Sequence, residues 1–150
     1  MNDADRKIVL LLQEDSRLSY AELGKQVGLS VSAVNERIKK LQAQGVIEKY
    51  VALINPEKAG IDVHAFVQVL IDRPENEAIF IHRIQEIDEV QECHCITGEY
   101  GFLLKVHAKN TSQFETLLKE KIKPVKGVVR THTLVVLSSQ KKSTKLAIDF

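Results

Sequence analysis

The sequence predicts an α+β protein in which three N-terminal helices are followed by a four-stranded antiparallel sheet of the order βαββαβ. Residues 1–50 have apolar positions at helical spacing, whereas the rest of the chain contains four runs with the alternation of β-strands, separated by two helical stretches. A segment rich in Pro, Gly and charge, NPEKAGID at residues 55–62, lies between the two patterns. We therefore expect one domain over residues 1–60 and a second over residues 61–150.

The composition is that of a folded, nearly neutral protein. Its 150 residues are 44% hydrophobic and 27% charged, with a formal net charge of +1. Residues 1–60 carry nine Lys and Arg against eight Asp and Glu, and residues 61–150 carry twelve of each, so neither part is strongly basic. A single copy gains little from neutralising phosphates, and nucleic-acid binding would need several copies that act together.

The sequence has no apolar run near the roughly 20 residues of a membrane helix. Its N-terminus, MNDADRKIVLLLQ, places charges within the apolar run, unlike the core of a signal peptide. We expect a cytoplasmic protein with no membrane partner. Cys93 and Cys95 lie two apart in a predicted strand and face the same way, which suits free thiols better than a mutual disulfide.

Capping signals justify the three N-terminal helices. Asp3 can cap the first, Ser19 with Glu22 forms a capping box for the second, and Ser30 can cap the third. Gly28 and Gly45 follow the second and third helices, at positions where a left-handed conformation favours glycine. The apolar positions predicted to face inward are Ile8, Leu11, Leu12, Leu23, Val27, Val34, Ile38 and Leu41.

After GVIEKYVALI, which looks extended, the second domain is expected to contain four strands and two helices. The strands are VHAFVQVLID, VQECHCIT, YGFLLKVHA and VVRTHTLVVL. Pro74 begins the first helix, and a capping box of Ser112 and Glu115 begins the second, which Pro124 stops. Their expected buried positions are Ile81, Ile84 and Ile87 in the first and Phe114, Leu117, Leu118 and Ile122 in the second. This order is that of a ferredoxin-like domain, with both helices on one face.

The other face of the sheet raises a packing question. Apolar side chains such as Phe66, Leu70 and Leu103 alternate with the core positions of their strands and point away from the helices. An apolar patch of this kind left in water would be unusual for a monomer. We expect a second copy to cover it, and the alternative is a sheet with scattered apolar residues at its surface.

The segment AELGKQVGLSVSAVNERIKKL has the pattern of a helix-turn-helix. Gly24 inside a helix costs about 1 kcal/mol relative to alanine, a cost that makes sense where the next helix must approach closely. The third helix presents short polar and basic side chains away from its apolar stripe, as base and phosphate contacts require. The DNA-binding candidates are Ser30, Ser32, Ala33, Asn35, Glu36, Arg37 and Lys40. The alternative is three packed helices with a solvated polar face.

The whole chain resembles the Lrp/AsnC family of leucine-responsive and asparagine-responsive transcription regulators. The resemblance is carried by DADRKIVLLLQEDSRLSYAELGKQVGLS, VNERIKKLQAQGVIEKYVALINPEKAG and VQECHCITGEYGFLLKV. It implies a winged helix-turn-helix joined to an effector-sensing βαββαβ domain, with assembly into dimers and further into octamers. Arg37 matches the basic position of the family's recognition helix. Val31 stands where proline is common, a departure that costs only a preorganised helix start.

The resemblance also implies an amino-acid effector at the turn of the hairpin ECHCITGEYGFLLKV, between subunits. Gly98, Glu99 and Tyr100 fit the family pattern of Gly, any residue, aromatic and Asp, but Gly101 stands where the aspartate is usual. If that aspartate holds the effector's amino group, its loss removes a bond worth about 1.5 to 3 kcal/mol. Glu99 is a nearby acid, although an extended backbone would point it to the other side. We expect altered effector choice or weaker binding.

Other kinds of site fit the hairpin less well. A metal site needs converging ligands, but Cys93 and Cys95 should face away from His94. The glycines lead to no helix N-terminus, so a phosphate cradle is not expected. His64, His82 and His132 are read as packed or interfacial, and neither a metal nor a cofactor is expected.

The leading functional hypothesis is a homo-oligomeric regulator that binds double-stranded DNA and responds to a small metabolite, with an amino acid as the expected effector. One alternative is a decarboxylase of the haem pathway, which is similar in architecture. Against it, the chain has no tryptophan, and we find no Arg–His cluster in the hairpin, paired carboxylates or nucleophile with a placed base, so no enzyme is expected. The other alternative is a sensor or scaffold that does not read DNA.

Overall fold

Two units make up the chain in the computed structural model, which describes residues 1–148. The first contains Met1–Leu53 together with the described residues from Lys141 onward, and the second contains Ile54–Gln140. The predicted division after residue 60 differs from this arrangement in two places: the boundary lies after Leu53, and the C-terminal segment belongs to the first unit. Sequence patterns missed the return of the C-terminal segment because it has no regular secondary structure of its own.

Three helices form the first unit: α1 (Asp3–Glu14), α2 (Tyr20–Val27) and α3 (Val31–Ala43). Ser19 and Ser30 cap α2 and α3 as predicted, and Gly28 and Gly45 adopt positive φ angles of 71° and 72°. The cap of α1 is Asn2 and not Asp3, because Asn2 accepts the Asp5 N–H at 2.9 Å. The fully buried side chains of this core are Ile8, Leu23, Val34, Ile38 and Leu41.

Gly24 allows α2 to lie close to the loop that leads into α3. A Cβ atom at this position would overlap the carbonyl oxygen of Leu29 and lie 3.7 Å from a methyl group of Val34. The Leu29 N–H also donates to the carbonyl oxygen of Gly24 at 3.0 Å. The predicted close approach is therefore present, and the nearest backbone group belongs to the turn.

The segment from Val46 to Ile54, expected to be extended, has no strand partner among the described residues. A strand needs a hydrogen-bonded neighbour, and the described part of the chain provides none here. Several of its apolar side chains are well exposed, including Leu53 at 72% and Ile54 at 71%. A 3₁₀ turn over Glu57–Ala59 follows and ends at Gly60.

The second unit is a four-stranded antiparallel sheet with its helices on one face. Its elements are β1 (Val63–Ile71), α4 (Pro74–Gln85), β2 (Val90–Cys95), β3 (Phe102–Ala108), α5 (Thr111–Thr116), which continues as a π-helix over Leu117–Ile122, and β4 (Val128–Val135). The spatial order is β2-β3-β1-β4. The predicted ferredoxin-like arrangement is confirmed. No helix among residues 1–148 is both long and apolar enough to cross a membrane.

The core of this unit lies between the sheet and its helices. Its fully buried members include Val67, Val69, Leu104, Val106, Phe80, Leu117 and Ile122. The predicted buried position of Ile81 is wrong: Ile81 is 40% exposed, and Phe80 is buried in line with Asn76 and Ile84 at four-residue spacing. The predicted cap at Ser112 is also wrong, because Asn110 accepts the Gln113 N–H at 2.8 Å and the helix begins earlier.

The open face of the sheet is mixed in character. Register places Phe66 beside Leu134 and Lys105, and Leu70 beside Arg130. The rings of His64 and His107 stack across β1 and β3 with centroids 4.3 Å apart. Apolar groups therefore alternate with polar ones across this face, and it is less apolar than the alternation in β1 alone predicts.

Candidate functional site

The first candidate site is the exposed side of α3. Ser30 begins the helix by accepting the Ala33 N–H at 3.2 Å, and its hydroxyl lies 3.2 Å from that of Ser32. Ser32, Glu36 and Lys40 are exposed at four-residue spacing, while Ala33 and Asn35 are half-buried. The start of the helix therefore presents short polar groups from a fixed backbone.

Arg37 differs from the other candidates because an internal acid engages its guanidinium. One terminal nitrogen donates to Asp5 of α1 at 3.0 Å, where the Asp5 side chain is 11% exposed and that of Arg37 is 33% exposed. Burial raises the pKa of the Asp5 carboxyl. The hydrogen bond from the Asn2 N–H and the pairing with Arg37 together lower it by more, so the net pKa lies below the usual range. Arg37 thus connects α3 to α1.

Two exposed residues of α3 were missed by sequence reasoning. Val31, at the first helical position, is 53% exposed, and Lys39 is exposed beside Glu36 and Lys40. An apolar residue at a helix start looks like a core residue in sequence, so only its exposure identifies Val31. Lys39 could have been found from its spacing of four residues from Asn35 on the same helical face.

The second candidate site is the turn between β2 and β3. The Ile96 N–H donates to the Gly101 carbonyl oxygen at 2.9 Å and closes a loop over the residues between them. Gly98 has a φ of +115°, which favours glycine, whereas no atom lies within 4 Å of a Cβ built on Gly101. The space that an aspartate side chain would enter at position 101 is therefore open.

Side-chain contacts join this turn to β4. The Glu99 carboxylate accepts a hydrogen bond from the Arg130 guanidinium, which lies 5.2 Å from the centroid of the Tyr100 ring. The Tyr100 and His132 rings lie 6.0 Å apart, and His132 Nδ1 is 3.1 Å from Gln68 Oε1. The turn is bent and not extended, so the expected direction of Glu99 does not apply. A cation, an anion and an aromatic ring meet at the turn.

Arg130 was missed by sequence reasoning because it lies 31 residues from Glu99. The register could have indicated it: Leu70 pairs with Arg130 at the end of β1 where Val69 pairs with Phe102, the first residue after the turn. The order β2-β3-β1-β4 therefore brings the start of β4 to the end of the sheet that carries the turn.

Comparison with known proteins assigns a family model to each of the two parts of the chain. Residues 1–48 match the family model for winged helix-turn-helix DNA-binding, and residues 64–146 match that for the Lrp/AsnC ligand binding domain. The chain is 38% identical over 146 residues to the leucine-responsive regulatory protein of Escherichia coli K12, covering 96% of this chain and 89% of that protein. The chain belongs to the Lrp/AsnC family.

Two solved structures superpose closely on this chain. A transcriptional regulator from Neisseria meningitidis in complex with L-Met has a TM-score of 0.93 and 30% identity, covering 98% of this chain and 96% of that one. AsnC of E. coli has a TM-score of 0.91 and 28% identity, with 97% of each chain covered. This Lrp/AsnC protein is therefore a transcription regulator with a winged helix-turn-helix for DNA binding and a ligand-binding domain of the Lrp/AsnC type.

The Cys-His-Cys run of this Lrp/AsnC chain is divided between the two faces of the sheet. Cys93 and Cys95 pair with Leu104 and Phe102 on the helix side, whereas His94 pairs with Leu103 on the open side. Burial raises the pKa of the Cys93 thiol, and Cys95 adds to the shift. Among residues 1–148, no three His, Cys, Asp or Glu side chains come together in a way that could hold a metal ion.

Proposed function

We propose that this regulator binds a zwitterionic α-amino acid at the turn over residues 96–101 and reads duplex DNA with α3. The observation that carries the proposal is the ion pair of Glu99 and Arg130 beside Tyr100. An α-amino acid has one carboxylate and one ammonium group, and these two side chains offer the opposite charge to each. The L-Met complex of the Neisseria relative supports a ligand of this class.

The charges of the turn suggest how each end of the ligand is held. Arg130 can offer a planar pair of N–H donors to a carboxylate, and Glu99 can accept from an ammonium group. Glu99 then takes the role of the aspartate that is absent at position 101, namely binding of the ammonium group. The side chains of Glu99 and Arg130 are 68% and 53% exposed, so separating this ion pair to admit a ligand costs little free energy.

Binding of labelled L-amino acids, including L-Met and L-Leu, tests this assignment by equilibrium dialysis. Glu99→Gln and Arg130→Gln should each weaken binding by about 10- to 100-fold, since each removes a charged hydrogen bond. Lys126→Gln, at an exposed lysine of the same unit, is the matched control and should change nothing. Undiminished binding in both test variants would reject the assignment.

For DNA, we propose that the start of α3 enters the major groove. Ser32, Asn35 and Glu36 offer hydrogen bonds to base edges, and the exposed Val31 offers an apolar contact to a thymine methyl group. Lys39 and Lys40 suit phosphates. Arg37 positions α3 through Asp5 with one nitrogen, and its remaining N–H groups stay available to a phosphate or base.

A shift assay on the chain's own upstream DNA and on a shuffled duplex tests this role of α3. Asn35→Ala should reduce the ratio of the two affinities by about 5- to 100-fold, because each base contact contributes about 1 to 3 kcal/mol of discrimination. Gln42→Ala, in the last turn of the same helix, should leave the ratio unchanged. A wild-type protein with no sequence preference at any salt concentration would contradict the proposal.

We further propose a homodimer formed through the open face of the sheet, with octamers as a higher assembly. Phe66, Leu70 and Leu103 are half-buried on this face, and Leu134 is 46% exposed. A dimer carries two reading helices to half-sites about one helical turn apart, which compensates for the low charge of a single copy. Sedimentation of the wild type and of Leu103→Asp tests it, and a wild-type monomer would refute it.

The location and the lack of catalysis remain inferences from this role. We infer a cytoplasmic protein, because its proposed ligands are duplex DNA and a metabolite. We also infer that it catalyses no reaction, which agrees with a family of transcription regulators. The absorption spectrum of the purified protein tests the decarboxylase alternative, since a co-purifying tetrapyrrole would show as colour.

A further inference from the structure

The C-terminal segment is attached to the DNA-binding unit by specific contacts with α1. The Gln13 side-chain amide makes two hydrogen bonds with Leu146: its nitrogen donates to the Leu146 carbonyl oxygen at 3.1 Å, and its oxygen accepts the Leu146 N–H at 2.6 Å. Lys145 forms an ion pair with Glu14, and Ile148 packs against the helical core. These contacts hold the backbone of residues 145–148 against α1.

This attachment changes the charge of the unit that carries α3. Residues 1–53 have eight Lys and Arg against seven Asp and Glu, and the last ten residues of the sequence add three lysines and one aspartate. The formal charge of the first unit therefore rises from +1 to +3, while residues 54–140 have a formal charge of −2. Positive charge is concentrated on the DNA-binding unit because the segment docks there.

We propose that the C-terminal segment is part of the DNA-binding surface and that Lys141 and Lys142 contact phosphates of the duplex. Both lysines are exposed, and among the described residues neither has an ion-pair partner. Lys145 is different because Glu14 already neutralises it. The partner is duplex DNA of any sequence, since ammonium groups recognise phosphate charge and carry no base information. The inference rests on the proposed DNA-binding role of the unit.

The salt dependence of DNA binding tests the proposal. The logarithm of the association constant should fall with the logarithm of the salt concentration, with a slope of about −0.9 for each phosphate neutralised. In full-length Lys141→Ala/Lys142→Ala, the magnitude of the slope should fall by about 1 to 2 per bound subunit. Affinity for upstream and shuffled DNA should fall by the same factor. Lys123→Ala/Lys126→Ala, at exposed lysines of the second unit, should keep the wild-type slope.

The outcomes separate this proposal from the general one. If the wild type binds no DNA, the proposed DNA-binding function and the role of the segment are both overturned. If the wild type binds DNA and Lys141→Ala/Lys142→Ala has the same salt slope, only the role of the segment is overturned. Hydrogen exchange tests the docking itself: the Leu146 amide should be protected in the wild type and lose protection in Gln13→Ala. An unprotected Leu146 amide in the wild type would also overturn the proposal.

Discussion

Helix α3 and the turn over residues 96–101 are positioned by interactions of different range. The start of α3 depends on Ser30, which bonds to the N–H of Ala33 three residues away. The turn is closed by a local bond, but its side chains are arranged by Arg130 from a distant strand. Helix α3 is therefore set mainly by its own sequence and core, and the side chains of the turn by the topology of the sheet.

The largest expected effect concerns the close approach beside α3. Gly24→Ala should destabilise the first unit by about 2 to 3 kcal/mol, because the added Cβ overlaps the Leu29 carbonyl oxygen and the turn must move. Helix propensity alone would predict a gain of about 1 kcal/mol. Urea unfolding monitored by circular dichroism measures the change.

Gly45→Ala provides the control for the Gly24 variant. Gly45 has a positive φ of 72° but no neighbouring atom within 4 Å, so alanine should cost only about 1 kcal/mol of backbone strain. If Gly24→Ala were as stable as the wild type, the turn before α3 would be adaptable and the contrast with the hairpin would weaken.

The same contrast explains how much the sequence could predict. Caps at Ser19 and Ser30, the buried stripe of α3 and the element order βαββαβ follow from local patterns, and all are present in the structure. Ile81 was misplaced because its neighbour Phe80 is equally apolar, and only the sheet decides which of the two faces it. Arg130 and the docked C-terminal segment depend on contacts more than 30 residues apart, which periodicity does not report.

One long-range contact does affect α3, namely the ion pair of Arg37 with Asp5. Asp5→Asn should cost about 1 to 2 kcal/mol, a figure reduced because the Arg37 side chain is one-third exposed. The folded-state pKa of Asp5 is depressed, so its contribution is present above the unfolded pKa near 3.8 and is lost as pH falls through the lower folded pKa. Acid unfolding below about pH 4 should therefore be less steep in the variant.

Asp3→Asn is the matched control for Asp5→Asn. Asp3 lies in the same first turn of α1, but its side chain is 83% exposed and its ion-pair partner is Arg6 at 3.4 Å. Its replacement should change stability by less than about 0.5 kcal/mol. Equal pH profiles for the wild type and Asp5→Asn would show that the contact with α1 does not stabilise α3.

In the hairpin, Gly98→Ala tests the one local requirement of the turn. Its φ of +115° is unfavourable for alanine and should cost about 1 kcal/mol or slightly more. Gly101 lies immediately before β3, has no positive φ, and has open space where a Cβ would be, so Gly101→Ala should lower the stability by less. Thermal unfolding compares the two, and equal losses would mean that backbone strain at Gly98 does not shape the turn.

The smallest expected change in stability is at the long-range pair of Glu99 and Arg130, at the turn proposed to bind the ligand. Glu99→Gln should alter the free energy of unfolding by less than about 0.5 kcal/mol, since both partners are largely exposed and screened by salt. The same variant should weaken amino-acid binding by about 10-fold or more. Urea unfolding and dialysis on one preparation compare the two losses. A side chain that serves ligand binding contributes mainly when the ligand is present. A large loss of stability with unchanged ligand binding would therefore show that the pair of Glu99 and Arg130 is a structural contact of the sheet and does not bind the ligand.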